Sequence, residues 1–486
     1  MHESEPIRES MWIGGAERAA ADGAVLEVVN PATNEVFATV PAAAEADVQA
    51  AIDAAERAFP AWSRTTVFSR GALLRRASQA VLEDAEEIAR RMTREQGKPL
   101  AEALGEVKKG AEILRYYAEE GERVYGRIIP NAEGQAVESR VLYQPIGPVG
   151  LLSPWNYPVE LMAWKVGAAL AAGCTFVLKV PSETPLSPLA FVRAMRRAGF
   201  PDGVMNVITG RGGDIGRILT GSKKLRKIAF TGSTAVGRTI MAQSADSLRR
   251  LSLELGGSLP MIVTKHADLD SAAAGAARRS FRNMGQICIA VNRIYAQREI
   301  YEHFLRMFAE KTARLTIGDG LTEPCDLGPM CTKKGLETAK AHIADALAKG
   351  ARCVLGGAAP EGERYAKGNY FLPTILADCT HQMIVMREET FGPVVGVMPF
   401  DTIDEAIRLA NDTCYGLAAI AYTESLPEAH RLYTELNAGN VAVNNVDVGV
   451  VNAPYGGWYD SGFGHEHGPE GLYEYLHVKH VRIKSV

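Results

Sequence analysis

The chain is poor in the features that mark secreted, metal-binding and membrane-spanning proteins. Its 486 residues contain seven cysteines, an odd number at wide spacing with no CxxC pair. That pattern argues against a disulfide framework and against a zinc site. No apolar run reaches the ~18 residues of a membrane span, and the N-terminal Met-His-Glu-Ser-Glu-Pro lacks the regions of a signal peptide. We therefore expect a cytoplasmic protein with reduced thiols and no metal.

An excess of charge of one sign is also missing. The net charge of -4 is small for this length, so there is no electrostatic case for a nucleic acid or membrane partner. What is present is a globular composition, 47% hydrophobic and 23% charged. The length suggests about three domains, and no repeat, low-complexity tract or long linker interrupts the chain.

Helical periodicity dominates the region from Ala42 to Tyr117. Apolar residues recur there at three- and four-residue steps and predict a helix that ends at Pro60. Two further helices are predicted over about 67–93 and 100–120, followed by an extended segment from Gly126 to Tyr143.

After Gly147, short apolar runs alternate with helical stretches, which favours a parallel sheet covered by helices. Uniformly apolar strands are typical of strands buried on both faces. The strands of a first set are predicted at Val149–Leu152, Thr175–Lys179, Val204–Ile208, Lys227–Phe230 and Leu251–Leu255. Those of a second set are predicted at Met261–Thr264, Ile294–Gln297, Gly416–Tyr422 and Asn440–Asn444.

The end of the chain predicts one more strand. Residues from Tyr475 onward alternate between apolar and polar. A strand at a chain terminus has a free edge, and two uses of it remain open: pairing with another subunit, or lying as an edge strand within the chain.

Cys288 is the first candidate for chemistry. It follows Gly285 and Gln286 and precedes an apolar run. A thiolate attacks carbonyl carbon well, and the free thiol pKa of about 8.5 leaves room for activation by a base. The alternative is an inert core cysteine.

A carboxylate and an amide accompany that thiol. Glu254 ends an apolar strand ahead of a Gly-Gly pair, which would let the chain turn sharply and leave the carboxylate facing a cleft. Asn156 lies between Pro154 and Pro158, which fix the backbone around a possible oxyanion donor. The alternatives are a salt-bridged strand end for Glu254 and a turn residue for Asn156.

Two glycine-rich turns and a lysine predict a place for a phosphate. Gly232 and Ser233 follow a strand and open a helix, whose free N–H groups and dipole favour an anion. Gly212 lies in a second glycine-rich run before a helix. Lys179 ends a strand, where a phosphate or ribose would suit the sheet crevice. Ordinary βα turns and a solvated loop are the alternatives.

Together these motifs resemble the aldehyde dehydrogenase superfamily. The resemblance extends from about Trp12 to the C-terminus and is carried, in order, by Pro154-Trp-Asn-Tyr-Pro158, Phe230-Thr-Gly-Ser-Thr-Ala-Val-Gly237, Glu254-Leu-Gly-Gly257, Gly285-Gln-Ile-Cys288, Glu389-Thr-Phe-Gly-Pro393 and Pro454-Tyr-Gly-Gly457. It implies an α/β fold with a variant Rossmann cofactor domain (5–126 and 146–256), an α/β catalytic domain (257–455) and a small β oligomerisation element (127–145 and 472–486). A homodimer or homotetramer is expected.

The resemblance also implies catalytic roles. Cys288 is similar to the nucleophile that forms a thiohemiacetal and then a thioester, and Asn156 to the donor that stabilises the oxyanion. Glu254 is similar to the base that activates water. Members that acylate coenzyme A typically lack this glutamate, so a free acid is the expected product. Lys165 and Glu466 match positions of a proton relay.

The cofactor, NADP or NAD, is expected to lie against residues matched to the family. The adenosine-side matches are Trp155 and Lys179, the pyrophosphate matches are Gly232 and Ser233, and the nicotinamide-side matches are Glu389 and Phe391. Where NAD-preferring members usually have a glutamate, this chain has Ser182. A carboxylate would repel a 2′-phosphate, whereas Ser182 beside Lys179 would accept one, so we expect NADP to be used.

The substrate is less defined. Tyr157, Trp164 and Tyr455 match positions that commonly line the aldehyde tunnel and favour an apolar or aromatic aldehyde. Arg282 matches an arginine that holds the carboxylate in succinic semialdehyde dehydrogenases, whose second arginine falls at Trp164. The alternative is therefore a semialdehyde that bears a carboxylate, unless Arg282 pairs with Glu160 or another internal carboxylate.

Two other classes of function remain as alternatives. A thiol esterase would use Cys288 and Glu254 without redox chemistry, and a binding protein would keep the fold alone. The intact cofactor motifs oppose the first, and the intact catalytic residues oppose the second.

Overall fold

The computed structural model describes residues 7–130, 132 and 137–484. The described part of the chain is α/β. Its α-helices are α1 Glu45–Trp62, α2 Val67–Glu83, α3 Ala85–Gln96, α4 Leu100–Gly121, α5 Glu160–Ala172, α6 Leu186–Arg196, α7 Gly212–Gly221, α8 Thr234–Ser244, α9 Leu269–Phe281, α10 Tyr301–Thr312, α11 Lys333–Ala348, α12 Ile403–Asn411, α13 Leu426–Glu435 and α14 Gly468–Tyr473.

The strands of the described residues form two large sheets and several small ones. They are β1 Ile7–Arg8, β2 Met11–Ile13, β3 Ala16–Arg18, β4 Val25–Asn30, β5 Glu35–Pro41, β6 Arg127–Ile129, β7 Val137–Pro145, β8 Val149–Leu152, β9 Phe176–Lys179, β10 Met205–Ile208, β11 Lys227–Thr231, β12 Arg250–Glu254, β13 Leu259–Val263, β14 Val291–Gln297, β15 Arg352–Leu355, β16 Thr374–Ala377, β17 Val394–Phe400, β18 Tyr415–Gly416, β19 Ala418–Tyr422, β20 Asn440–Val443, β21 Trp458–Tyr459, β22 Gly462–Phe463 and β23 Leu476–Lys484.

The first large sheet has the order β22-β12-β11-β8-β9-β10-β2-β3. Its five inner strands are parallel, as predicted, and its edges are closed by antiparallel strands. Thr231 pairs in register with Glu254, and Leu152 with Lys179. The register therefore brings Glu254 and Lys179 to the same carboxyl-terminal edge of one sheet.

The second large sheet has the order β15-β16-β17-β14-β13-β19-β20. Its strands are parallel except β15. The four strands predicted for this sheet are present, but β15, β16 and β17 were missed. These three do not follow the strand-helix alternation, because β16 and β17 are joined without a long helix between them.

The terminal strand β23 pairs antiparallel with β7 along its whole length, from Leu476 with Pro145 to Lys484 with Val137. It forms the edge of a three-stranded sheet, β23-β7-β6. The predicted oligomerisation element also includes residues 131, 133–136, 485 and 486, which lie outside the described residues, as does the N-terminal hexapeptide.

Two helix boundaries differ from the prediction. α1 continues through Pro60 to Trp62, because proline fixes a φ that a helix accepts and only one hydrogen bond is lost. Trp62 is 2% exposed and its ring meets Phe200, so its burial stabilises the last turn. The helix predicted over 67–93 is two helices, interrupted at Asp84, whose φ of -97° and ψ of 9° are not helical.

The core positions the site between the two large sheets. One apolar cluster surrounds α4 and α5, and a second fills the second sheet. Ile289, next to Cys288, packs against both clusters. Among the described residues, no helix is both long and apolar enough to cross a membrane.

Candidate active site

Cys288 follows a strained turn at the start of β14. Three consecutive residues have left-handed backbone angles: Asn283 at φ 50°, Met284 at φ 57° and Gly285 at φ 68°. Such angles are costly for residues other than glycine and persist where surrounding structure fixes them. A Cβ at Gly285 would lie 2.1 Å from the Gly392 carbonyl oxygen. Glycine is therefore required there, and the turn leaves Cys288 half-buried ahead of the strand.

The resting form of Cys288 is the thiol. Burial raises its pKa to about 12, and the hydroxyl of Tyr455, 3.7 Å from Sγ, lowers it by less. The negative charges of Glu389 and Glu254 raise it further. Because the thiolate is the nucleophile, attack requires a base or a compensating charge at Sγ.

The side-chain amide of Asn156 is held against the Cys288 turn. Its Nδ2 donates to the Gln286 carbonyl at 2.9 Å. The backbone carbonyl of Asn156 accepts from Lys98 Nζ at 2.8 Å and from Asn283 Nδ2 at 3.0 Å. One Nδ2 proton is thereby used, and the second can be donated to a substrate oxygen. Sequence reasoning attributed this rigidity to the flanking prolines and missed Lys98.

Glu254 ends β12 with its side chain buried, and neither carboxylate oxygen has a hydrogen-bond partner among the described residues. Burial raises its pKa well above the usual range, and the charge of Glu466 raises it further. Glu254 in turn raises the pKa values of Cys288 and Tyr455. A buried, unpartnered carboxyl with a raised pKa near a thiol is a candidate for proton exchange with the substrate or water.

The Gly-Gly pair after Glu254 has a different role from the predicted one. Neither glycine has a positive φ, so the pair does not make a left-handed turn. Instead, a Cβ at Gly256 would lie 2.5 Å from Glu389 Oε2, and one at Gly257 would lie 2.5 Å from the Cys288 carbonyl oxygen. The glycines allow β12 to lead into β13 in direct contact with Cys288 and Glu389.

Lys165 and Glu466, predicted as a relay, lie together beside Glu254. Lys165 Nζ is fully buried and donates to Glu466 Oε1 at 2.5 Å and to Thr231 Oγ1 at 2.6 Å. The charge of Lys165 lowers the pKa of Glu254, opposing the effect of Glu466. Lys165 and Glu466 therefore form a buried ion pair whose two charges act in opposite directions on the Glu254 carboxyl.

Of the predicted cofactor residues, Ser182 lines a cavity of about 450 Å³, and Lys179 contacts that serine. Lys179 Nζ donates to Ser182 Oγ at 3.1 Å, and Ser182 Oγ donates to the Gly210 carbonyl at 2.9 Å. Burial lowers the pKa of Lys179 to about 8. A Cβ at Gly212 would be 3.8 Å from Lys179 Nζ, and Arg211 lines the same cavity as Ser182.

The pyrophosphate-side residues open helix α8. Ser233 is its N-cap residue, but its side chain forms no capping hydrogen bond, so the first amides of the helix keep free donors. On the nicotinamide side, Glu389 Oε1 accepts from Gly257 N at 3.1 Å, and burial raises its pKa to about 7. The Phe391 ring meets the Trp155 ring edge-on at 5.3 Å.

These residues fit a dinucleotide. Free amides at a helix start suit its pyrophosphate, and the Lys179–Ser182 pair with Arg211 suits an anionic group on the ribose. Lys179, Ser182, Gly232 and Ser233 would hold NAD(P), with Glu389 at its reactive end. Bound there, NAD(P) would accept a hydride from the substrate.

The predicted substrate residues line one cavity of about 170 Å³ together with Cys288: Tyr157, Trp164, Arg282 and Tyr455. Arg282 Nε donates to Glu102 Oε1 at 3.1 Å, and Tyr157 Oη donates to the same oxygen at 2.7 Å. Arg282 thus pairs with an internal carboxylate other than Glu160. Its side chain is 38% exposed.

Among the further residues that line this cavity, sequence reasoning missed three basic ones: Lys109, Arg279 and His467. Arg279 lies three residues before Arg282, one helical turn away, which is a spacing that could have indicated it. The other two come from α4 and from the segment before α14, and no local pattern connects them to Cys288.

Known proteins are similar to this chain over nearly its whole length. The model of the aldehyde dehydrogenase family matches residues 18–481. A succinate-semialdehyde dehydrogenase [NADP(+)] of Escherichia coli is 42% identical over 99% of each chain. A glutarate-semialdehyde dehydrogenase of Pseudomonas putida is 41% identical over 99% of each chain.

Solved structures agree with these relatives. An Escherichia coli NADP-dependent enzyme superposes with a TM-score of 0.96 at 42% identity, covering 99% of this chain and 98% of that one. A succinate-semialdehyde dehydrogenase of Burkholderia pseudomallei gives 0.96 at 39% identity, covering 99% of this chain and 98% of that one. The chain belongs to the aldehyde dehydrogenase family. It is an NAD(P)-dependent oxidoreductase that oxidises aldehydes, which confirms the predicted fold class and activity.

Proposed function

We propose that the reaction takes place at Cys288 and yields a free acid. Sγ attacks the aldehyde carbon and the thiol proton ends on the carbonyl oxygen, whose developing charge the Asn156 amide and the Cys288 N–H stabilise. The thiohemiacetal becomes the thioester by losing its hydroxyl proton and a hydride, which bound NAD(P) would accept. Glu254 then takes one proton from water, the water oxygen attacks the thioester carbonyl, and the carboxylate leaves while the second proton returns to the Cys288 sulfur. The observation that carries this proposal is the buried, unpartnered carboxyl of Glu254, whose charge acts on the Cys288 thiol.

Lys165 and Glu466 are proposed to receive the proton that Glu254 takes from water. The support is their hydrogen bond and the effect of both charges on the Glu254 pKa. A second carboxylate coupled to the base through a buried ammonium gives a proton a place to go without leaving the protein.

NADP is the proposed cofactor, with NAD as the alternative. Lys179 and Arg211 supply cations near Ser182, and a serine hydroxyl can donate to a phosphate oxygen. Glu183 lines the same cavity, so the preference rests on the balance of those charges. The relative from Escherichia coli is named for NADP.

The proposed substrate is a short aldehyde with an anionic group at the far end. Three cationic side chains, Lys109, Arg279 and Arg282, line the cavity that contains Cys288. Both arginines have a carboxylate partner, but the Arg279 side chain is buried against Asp447 and the Val446 carbonyl. The Arg282 side chain is 38% exposed beside Glu102, so Arg282 is the proposed main anion partner. The relatives named above act on semialdehydes that carry a carboxylate.

An uncharged aromatic aldehyde is the second candidate, because two observations favour it. Glu102 already neutralises Arg282. Tyr157, Trp164 and Tyr455 supply aromatic walls, and their ring faces and edges suit a planar ring.

The predicted division into domains is proposed to follow the two large sheets, with the site where they meet. We also propose that the sheet β23-β7-β6 pairs with another subunit to form a dimer or tetramer. Its support is the edge strand β23, whose residues after Leu476 are mostly exposed. The seven free cysteines support a reducing cytoplasm as the compartment.

The test is initial-rate reduction of NADP and of NAD with aldehydes matched except for charge. Succinic semialdehyde is compared with butanal, and 4-carboxybenzaldehyde with benzaldehyde. Cys288→Ala should abolish turnover. Arg282→Met should lower kcat/KM for the charged aldehydes about 10- to 100-fold and change butanal little. Arg298→Met, on an exposed arginine paired with Asp401, is the matched control.

Two results would decide against the anionic substrate. Preference for benzaldehyde over 4-carboxybenzaldehyde would favour the aromatic candidate. Equal losses with both members of a pair in Arg282→Met would show that Arg282 serves the Glu102 contact rather than the substrate.

A further inference from the structure

The hydroxyl of Tyr455 is buried against the reactive sulfur. Tyr455 is 3% exposed, and its Oη lies 3.7 Å from Cys288 Sγ, which is hydrogen-bonding distance for sulfur. A buried tyrosine hydroxyl normally has a hydrogen-bond partner. Among the described residues, Sγ is the only such partner of this hydroxyl. The residue that the sequence assigned to an aromatic wall therefore also brings a polar group to the nucleophile.

The position of Tyr455 is fixed by residues outside the Cys288 turn. Tyr455 N donates to the Glu466 carbonyl at 2.7 Å, and Glu466 N donates to the Tyr455 carbonyl at 2.8 Å. The Trp164 ring meets the Tyr455 ring edge-on, with the ring centroids 5.1 Å apart. Because both the backbone and the ring are held, the hydroxyl is placed beside Sγ before any substrate binds, as an effective catalytic group requires.

The hydroxyl keeps its proton and can therefore act as a donor. Burial raises the pKa of Tyr455 well above its usual range, the charges of Cys288 and Glu254 raise it further, and the charge of Arg279 opposes them. A neutral thiol accepts a hydrogen bond weakly, whereas a hydrogen bond to an ionised acceptor is about twice as strong as one between neutral groups. The contact should therefore strengthen when negative charge develops on Sγ.

We propose that Tyr455 is a further catalytic residue, whose hydroxyl donates a hydrogen bond to Sγ when the sulfur is negatively charged. This happens twice in the proposed reaction, on which the inference rests. Sγ first loses its thiol proton while its electron pair forms the bond to the aldehyde carbon. It later receives the electron pair of the broken C–S bond and holds it until a proton returns. In both steps the Tyr455 proton stays on its oxygen, and the hydrogen bond stabilises the charged sulfur.

The first test is alkylation of Cys288 in Tyr455→Phe, which removes the hydroxyl and keeps the ring against Trp164. Iodoacetamide is added at pH 8 without cofactor or aldehyde, and mass spectrometry of the Cys288 peptide gives the rate. The thiolate is the reacting form, and losing a hydrogen bond to it should lower its fraction about 10- to 100-fold. A more basic thiolate is a better nucleophile, so the alkylation rate should fall about three- to tenfold.

Two controls accompany this rate. Cys353 is exposed and is alkylated in the same sample, so its rate should be equal in the variant and the parent protein. Tyr433→Phe removes a hydroxyl from an exposed ring and should leave the alkylation rate of Cys288 unchanged. The melting temperature of Tyr455→Phe should stay close to that of the parent protein, because the packing of the ring is kept.

Turnover separates this role of Tyr455 from that of a pocket wall. Because Sγ attacks every substrate, kcat/KM in Tyr455→Phe should fall by a similar factor for each aldehyde that the unmodified enzyme oxidises, from butanal, benzaldehyde and succinic semialdehyde. An unchanged alkylation rate of Cys288, or a loss of turnover with one aldehyde alone, would overturn the inference and leave the proposed oxidation intact. Turnover that survives complete alkylation of Cys288 would overturn both.

Discussion

Two regions of the molecule bury charged side chains: the helical corner between α3 and α4, and the carboxyl-terminal edge of the first sheet. Only at the corner are the buried charges paired and hydrogen-bonded. Lys98 Nζ donates to Glu106 Oε2 at 2.5 Å and to the Asn156 carbonyl at 2.8 Å. Glu106 Oε1 accepts from the backbone N–H of Val159 at 2.9 Å. At the sheet edge, Glu254 has no hydrogen-bond partner among the described residues.

The difference separates structural charges from chemical ones. A buried charge costs free energy unless it is paired and hydrogen-bonded, so the bonded corner is consistent with a role in holding Asn156. An unpartnered carboxyl lowers stability and persists where it has another use. The comparison therefore predicts that substitutions in the corner lower the stability of the fold, whereas substitution of Glu254 at the sheet edge lowers turnover.

The largest expected effect is on turnover in Glu254→Gln. Removing a general base typically costs 10²- to 10⁴-fold, so steady-state turnover should fall by about 10³-fold. Attack by Cys288 does not need Glu254 in the proposed sequence of steps. Rapid mixing should therefore show one equivalent of cofactor reduced per active site, followed by a very slow phase.

Stability provides the other half of that experiment. Burial raises the pKa of the Glu254 carboxyl because the charged form is poorly solvated there. Glu254→Gln puts a neutral amide in its place, so urea unfolding at pH 8 should show no loss of stability. Glu361→Gln, on an exposed glutamate, is the control for the substitution itself. Loss of the first turnover along with the later ones would show that Glu254 acts before the thioester, against the proposed role.

The next largest effect is on the stability of Glu106→Gln. Breaking a buried ion pair typically costs about 3–5 kcal/mol, because Lys98 is left as an uncompensated buried charge. Glu112→Gln removes an exposed pair on the same helix, 3.0 Å from Lys109, and should cost less than about 1 kcal/mol. Urea unfolding of both variants is the measurement. Similar costs for the two would contradict the contrast between buried and exposed pairs.

The comparison also shows what could be predicted from the sequence. Glu254 and Lys179 end apolar strands, and the ends of parallel strands meet at one edge, so local patterns were sufficient to place both. The Lys98 contact with Asn156 joins residues 58 positions apart in the sequence, and a pattern of apolar residues cannot predict a contact between residues so far apart. The same limit applies to His467, whose approach to Trp164 depends on how the chain after β22 folds back over α5.

Strand prediction failed for a related reason. β15, β16 and β17 are short or lie next to one another without a helix between them, so the alternation that indicates a parallel sheet is absent there. The Gly-Gly pair after Glu254 was wrongly assigned to a turn. A glycine in the sequence can serve a turn or a close approach of two chain segments, and the sequence alone does not distinguish the two.

A smaller effect is expected at the cofactor end of the sheet edge. Ser182→Glu places a carboxylate beside Lys179, where it would pair with the ammonium and repel a 2′-phosphate. The ratio of kcat/KM for NADP to that for NAD should shift toward NAD by about 10- to 100-fold. Glu183→Gln, which removes a carboxylate from the same cavity, should shift the ratio the other way by less. An unchanged ratio in Ser182→Glu would rule out Ser182 as a determinant of the preference.

The smallest expected effect is the pH dependence that Lys179 gives to NADP use. Burial lowers its pKa to about 8, so the side chain is charged below that pH and neutral above it. If only the charged form holds a 2′-phosphate, kcat/KM for NADP should fall about fivefold between pH 8 and pH 9, while the value for NAD falls less. Lys179→Arg keeps its charge over this range and should remove the difference between the two cofactors. If kcat/KM for NADP and for NAD changed with pH in the same way in the unmodified enzyme, the charge of Lys179 would not contribute to NADP binding. The contrast between the two regions would then hold for Glu254 alone.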